Sequence, residues 1–181
     1  MITTLQEMRD WLRLDGHEED DLVTGLIVAA QQHVEFFTRR ICETMVCVQY
    51  LDTFTNLFEL ENGPVLSVES ITYVDANGVT QTVNPNAYRM DTTRLPHRIR
   101  VAYGQSYPIT RGDANNICIT YRAGYGDASL VPDALKTAVR MLAAHWYENR
   151  EPVVVGTITA KLPFSIECLL WQYRIFSSEV D

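Results

Sequence analysis

No stretch of this chain approaches the roughly 18 consecutive apolar residues that a membrane-spanning helix needs. The opening residues, Met1-Ile-Thr-Thr-Leu-Gln-Glu, have neither the basic cluster nor the apolar run of a secretory leader. The chain is therefore expected in a cytoplasm-like compartment, with no membrane partner. Cys-x-x-Cys pairs are missing too: Cys42, Cys47, Cys118 and Cys168 are scattered. That spacing excludes the common zinc and redox patterns and leaves the thiols as small core hydrophobes. Net positive charge is also absent. A formal charge of -8 argues against a sequence-specific nucleic-acid binder, which needs a basic face to displace counterions from phosphates.

Catalytic signatures are equally scarce. No nucleophile elbow, phosphate loop, HExxH or Asp-rich metal loop occurs. Gly124-Tyr-Gly126 sits between a strand-like and a helix-like segment, but Ser129 stands where a dinucleotide turn needs its third glycine, and the strands before it read as hairpins. His145 and Glu148 lie one helical turn apart and supply only two ligands, with nothing nearby to complete a metal set. His33 borders the apolar stripe of a helix and reads as a boundary histidine. The residues give no positive evidence for an enzyme, a cofactor or a metal site, and only a catalytic site assembled from distant residues would escape this reading.

What is present is an ordinary globular composition. The 181 residues, 46% hydrophobic and 21% charged, are enough for one domain with its own core. Thr4 followed by Glu7 is a capping-box pattern and predicts a helix over 5–14. Leu22, Leu26, Ala30, Val34, Phe37 and Ile41 recur at three- and four-residue intervals, predicting a second helix over 18–41. From residue 43 the period changes to that of strands: 46–51, 58–60, 65–74, 79–83, 98–103 and 117–121, with Asp75-Ala-Asn-Gly78 as a hairpin turn. Helix returns after Val131-Pro132, with a stripe of Leu135, Val139, Leu142 and Trp146 that Pro152 should stop. Val153 to Ile158 reads as an extended tether, leading to a last helical turn or two. The predicted fold is α+β and mainly helical: a small helical bundle in a single domain of 1–181. Its parts are helices over 1–42, an inserted antiparallel β module over 43–126, a core helix over 131–151, and a tether with a C-terminal docking segment over 152–181.

Two features point outward. Acids crowd the start of the second helix at Glu18, Glu19, Asp20 and Asp21, and arginines crowd the β module, among them Arg94, Arg98 and Arg100. Zones of opposite sign suit contacts between neighbouring copies. The C-terminal segment is dense in apolar and aromatic residues: Leu162, Phe164, Ile166, Leu169, Leu170, Trp171, Tyr173 and Phe176, with Arg174 among them. Aromatics and arginine anchor interfaces, so the segment is expected to dock on a neighbouring copy or on another protein, while its apolar stripe is equally the pattern of a helix closing its own core; the two readings can coexist.

Taken together, Thr4-x-x-Glu7, the acid-started helix, Tyr121-Arg-Ala-Gly-Tyr-Gly126, Val131-Pro-Asp-Ala-Leu-Lys136, Ala144-His-Trp-Tyr-Glu-Asn-Arg-Glu151 and Leu162-Pro to Tyr173-Arg174 give a whole-chain resemblance. The chain resembles the head-tail connector, or neck adaptor, proteins of long-tailed bacteriophages. The resemblance implies a virion structural protein in a ring of about a dozen copies beneath the portal. The ring would extend the double-stranded DNA channel without sequence-specific binding and would meet a stopper or tail completion protein. It implies a location in the host cytoplasm before assembly and in the virion neck afterwards. The alternative from the residues alone is a non-catalytic binding module whose β insertion recognises another phage or host protein.

Overall fold

The computed structural model describes residues 1–149 and 164–176. The chain divides into two compact units: Met1–Glu43 with Tyr125–Arg174, and Thr44–Gly124 with the residues from Ile175 onward. The first unit holds α1 (Leu5–Leu12), α2 (Asp20–Thr38), α3 (Asp133–Glu148) and α4 (Phe164–Trp171). The second holds seven strands: β1 (Met45–Leu51), β2 (Leu57–Glu59), β3 (Val65–Val74), β4 (Thr80–Thr82), β5 (Tyr88–Asp91), β6 (Arg98–Val101) and β7 (Ile117–Ala123). The expectation of a mainly helical bundle is corrected to a mixed α+β fold. Two antiparallel sheets form a unit of their own, because strands that look short singly pair over long sequence separations.

The helical unit is built on local signals. Thr4 caps α1 through both arms of the capping box: the Glu7 N–H donates to Thr4 Oγ1 at 3.2 Å, and the Thr4 N–H donates to Glu7 Oε2 at 2.7 Å. These bonds hold the Glu7 carboxyl below its usual pKa. Arg13 and Arg39 end α1 and α2 in the left-handed region, at φ 57° and 55°; both helices are shorter than the sequence suggests. One continuous cluster fills the unit, including Met8, Val23, Ile27, Val34, Leu135, Val139, Leu142, Ile166 and Leu170. A polar strap crosses it. Buried Gln31 accepts from the Ile2 N–H and donates to Glu35, whose carboxylate also accepts from the Cys42 N–H. Burial, with Glu35 beside it, pushes the Cys42 thiol up to about 12, so it stays protonated and inert.

The β unit rests on pairing. Its four-stranded sheet runs β1-β7-β3-β4 and its three-stranded sheet β2-β6-β5, all antiparallel. Central strand β7 alternates, burying Ile117, Ile119, Tyr121 and Ala123 on one face. Burial pushes the Tyr121 phenol up to about 12. The Asp75–Gly78 turn forms as its composition predicts: Gly78 lies at φ 81°, and Asp75 Oδ1 accepts from the N–H groups of Asn77 and Val79. Buried His97 accepts the Val65 N–H at Nδ1, at 3.0 Å. Buried Gln49 donates to the Glu59 carbonyl and accepts the Glu61 N–H. The chain enters and leaves the module on neighbouring strands, with Met45 opposite Ala123.

Candidate interaction surfaces

The C-terminal segment divides between core and surface. Ile166 and Leu170 are part of the helical unit's own core, the packing that the apolar pattern leaves open beside docking. The reason is spacing: positions i and i+4 of α4 share a face, and that face meets α2 and α3. Phe164 points the other way at 80% exposure, and Trp171 and Phe176 are also exposed. Leu169, Tyr173 and Arg174 are half-buried. Leu162, the tether over 153–158 and the stop at Pro152 lie outside the described residues.

Around Trp171 the surface is organised. Its ring meets Phe37 edge-on at 6.0 Å, and the Arg174 guanidinium lies 5.0 Å from the Phe37 ring centre and 5.2 Å from that of Trp171. Nearby in sequence on α2, Phe36 is 85% exposed. Sequence reasoning placed Phe37 in the apolar stripe and passed over Phe36. The one available signal was a second phenylalanine falling off that stripe. A second missed feature is the outward face of β1: the strand itself falls where its alternation predicts, but it lies at a sheet edge, burying Cys47 and Gln49 while presenting Val46, Val48 and Tyr50 to solvent.

The charged residues also divide. Glu19 accepts a hydrogen bond from the Tyr147 hydroxyl. Asp20 accepts from His17 at 2.9 Å and faces the buried Arg9 guanidinium at 3.4 Å. Arg98 donates through Nε and Nη2 to Glu59 Oε1, at 3.2 and 2.8 Å, and stands opposite Asp91 across the next strand. These three make their contacts within their own unit. Glu18, Asp21, Arg94 and Arg100 remain exposed. Arg100 lies directly opposite Arg89, with Leu57 on its other side. Like charges so placed destabilise a sheet, so an acidic partner would relieve them.

His145 and Glu148 stand on the rim of an open groove of about 260 Å³, below the roughly 300–1,000 Å³ of ordinary ligand pockets. The Asn149 side chain donates to the His145 carbonyl at 2.8 Å, closing the end of α3. His33 is half-buried, edge-on to Trp146 at 6.1 Å, as a boundary histidine. Among the described residues, no group of three or more His, Cys, Asp or Glu could hold a metal ion.

Known proteins give a family for the chain. No curated protein sequence matches the chain. Among solved structures, a chain in the neck of an empty gene transfer agent particle, computed with C6 symmetry, is 26% identical at a TM-score of 0.76, over 99% of this chain and 93% of its own. A chain in the virion of a native gene transfer agent particle is 25% identical at a TM-score of 0.78, with coverage of 99% and 93%. A chain in the neck of the native particle, computed with C12 symmetry, is 25% identical at 0.70, with coverage of 98% and 91%. A profile of one family spans residues 1–176, and on that match the chain belongs to the head completion protein family.

Proposed function

We propose that the chain is a neck adaptor: about a dozen copies form a ring below the portal, extend the DNA channel and join capsid to tail. A structural connecting role follows from the family, and the observation that carries it is the end-to-end likeness to chains of a particle neck. The ring, the portal and the tail-side stopper or completion protein are the finer part of the reading. A ring of identical subunits needs two different, mutually complementary faces on each copy. The aromatic and arginine surface of Phe164, Trp171 and Arg174, with half-buried Leu169 and Tyr173, supports one face, aimed at a neighbour or the portal; exposed Phe176 and Leu162, which lies outside the described residues, are proposed for the same role. Exposed Glu18 and Asp21, against Arg94 and Arg100, support electrostatic register between copies. A net charge of -8 suits a conduit, since a like-charged wall repels DNA phosphates within about a Debye length of 10 Å. The chain would wait in the host cytoplasm and reside in the virion neck.

The test is a point change, because deleting the segment would strip Ile166 and Leu170 from the core. Phe164→Asp should keep the far-UV circular dichroism of the parent and lose co-sedimentation with the cognate portal. Rings on the portal in undiminished yield would remove the docking assignment.

A further inference from the structure

The β unit carries a long connection over residues 102–116 without regular secondary structure. Loops of this length in compact domains are uncommon and usually functional. This one is fixed along its length. Tyr107 turns inward and stacks on Phe54 at 4.4 Å with 10° between the rings, while also touching Phe58. Beyond it, the Arg111 N–H donates to the Val74 carbonyl at 3.1 Å, and the Asn115 N–H donates to Asp52 Oδ1 at 2.7 Å. Buried Asn116, with its amide oxygen turned toward the loop, accepts from the N–H groups of Arg111 and Gly112.

Yet the loop displays apolar groups to solvent. Ile109 is 86% exposed, and Tyr103 is fully exposed. A loop already ordered loses little further freedom on binding, so an isoleucine held out on it is a prepared anchor. Arg111 stands two residues on, in a solvent-exposed pair with Asp113 at 3.1 Å, a weak pairing that exchanges readily.

The helical unit offers the matching shape. Its groove of about 260 Å³ is walled by Trp11, Met141, Ala144 and Ile166, with His145 and Glu148 on the rim. That volume admits an aliphatic side chain together with part of its flanking loop, and lies just under the roughly 300–1,000 Å³ of ordinary ligand pockets. Glu148 is exposed, an anionic rim for a cationic knob.

We propose that Ile109 of one copy seats in this groove on a second copy, with Arg111 meeting Glu148 at the rim. The inference rests on the ring reading above and names its subunit contact: a projection and a receptor on different parts of one chain make a heterologous interface, the type from which rings are built when the rotation between copies closes.

A chain carrying Ile109→Cys and Ala144→Cys, with Cys168→Ser to remove the exposed native thiol, is assembled on the cognate portal, oxidised and run on a non-reducing gel. The expected result is a ladder of linked copies from the double variant and monomers from each single variant. Rings that form without a ladder, as when the groove is filled by another part of the chain or by the portal, overturn this contact and leave the ring intact. A parent chain that forms no ring overturns both. Independently, Ile109→Asp should weaken ring formation at least tenfold with unchanged circular dichroism, and Ile109→Val should stay within twofold; equal assembly by Ile109→Asp overturns the proposal.

Discussion

The two units solve the same problem, holding an outward surface steady, by different means. The helical unit has one apolar cluster and caps made by neighbours in sequence. Its outward aromatics stand on regular helices, backed by Ile166 and Leu170 on the opposite face of α4. The β unit depends on partners far apart in the chain: Arg98 on Glu59, Gln49 on the 59–61 turn, Tyr107 on Phe54. Its most exposed apolar groups stand on a loop fixed by Tyr107 on Phe54 and by the Arg111 and Asn115 N–H groups. Where the core is local, a surface can be carried by a helix; where it is non-local, a pinned loop can carry one.

Four substitutions sharpen or break this contrast. The largest effect is expected from Leu135→Ala, at a fully buried helical position. It should cost about 2–5 kcal/mol in urea unfolding followed by circular dichroism, and a loss below about 1 kcal/mol would break the picture of a single tight cluster. Next, Glu59→Ala leaves Arg98, whose side chain is only 14% exposed, with Asp91 across the next strand as its remaining acid. It should cost about 1–3 kcal/mol and fall on the β unit, read by near-ultraviolet signal from its tyrosines. Thr4→Ala removes the cap of α1 and should cost about 1 kcal/mol; hydrogen exchange should quicken over residues 5–8 and stay unchanged in β7. The smallest effect has the opposite sign. Arg100→Ala relieves the pairing with Arg89 and should be neutral or stabilising by about 0.2–1 kcal/mol, while weakening assembly; a destabilised chain would show that the like-charge row is already compensated within its own sheet.

Much of the helical unit was legible because its signals are local. The Thr4 box, the stripe of α2 and the start after Pro132 need only a few neighbouring residues to be read. So does the Asp75–Gly78 turn, and β3 falls on the residues its pattern marks. β5 was missed: Tyr88-Arg-Met-Asp91 lacks β-branched residues and becomes a strand by pairing with β6. The division of α4 was hidden by its composition, since apolar residues occur on every side and only tertiary contact decides which are buried. The same holds for the acids of α2. Glu19 and Asp20 look like Glu18 and Asp21 until Tyr147, Arg9 and His17 come beside them. Ile109 went unnoticed because a lone isoleucine in a loop carries no period.

The side-by-side entry and exit of the β module has a consequence for how such chains diversify. With Met45 opposite Ala123 on adjacent strands, the two cut ends are about 4.5–5.5 Å apart. A gap that narrow can be closed by a minimal turn or refilled by a foreign segment with equally close termini. Partner choice encoded between those points can be exchanged wholesale, leaving the sequence that builds the helical core untouched.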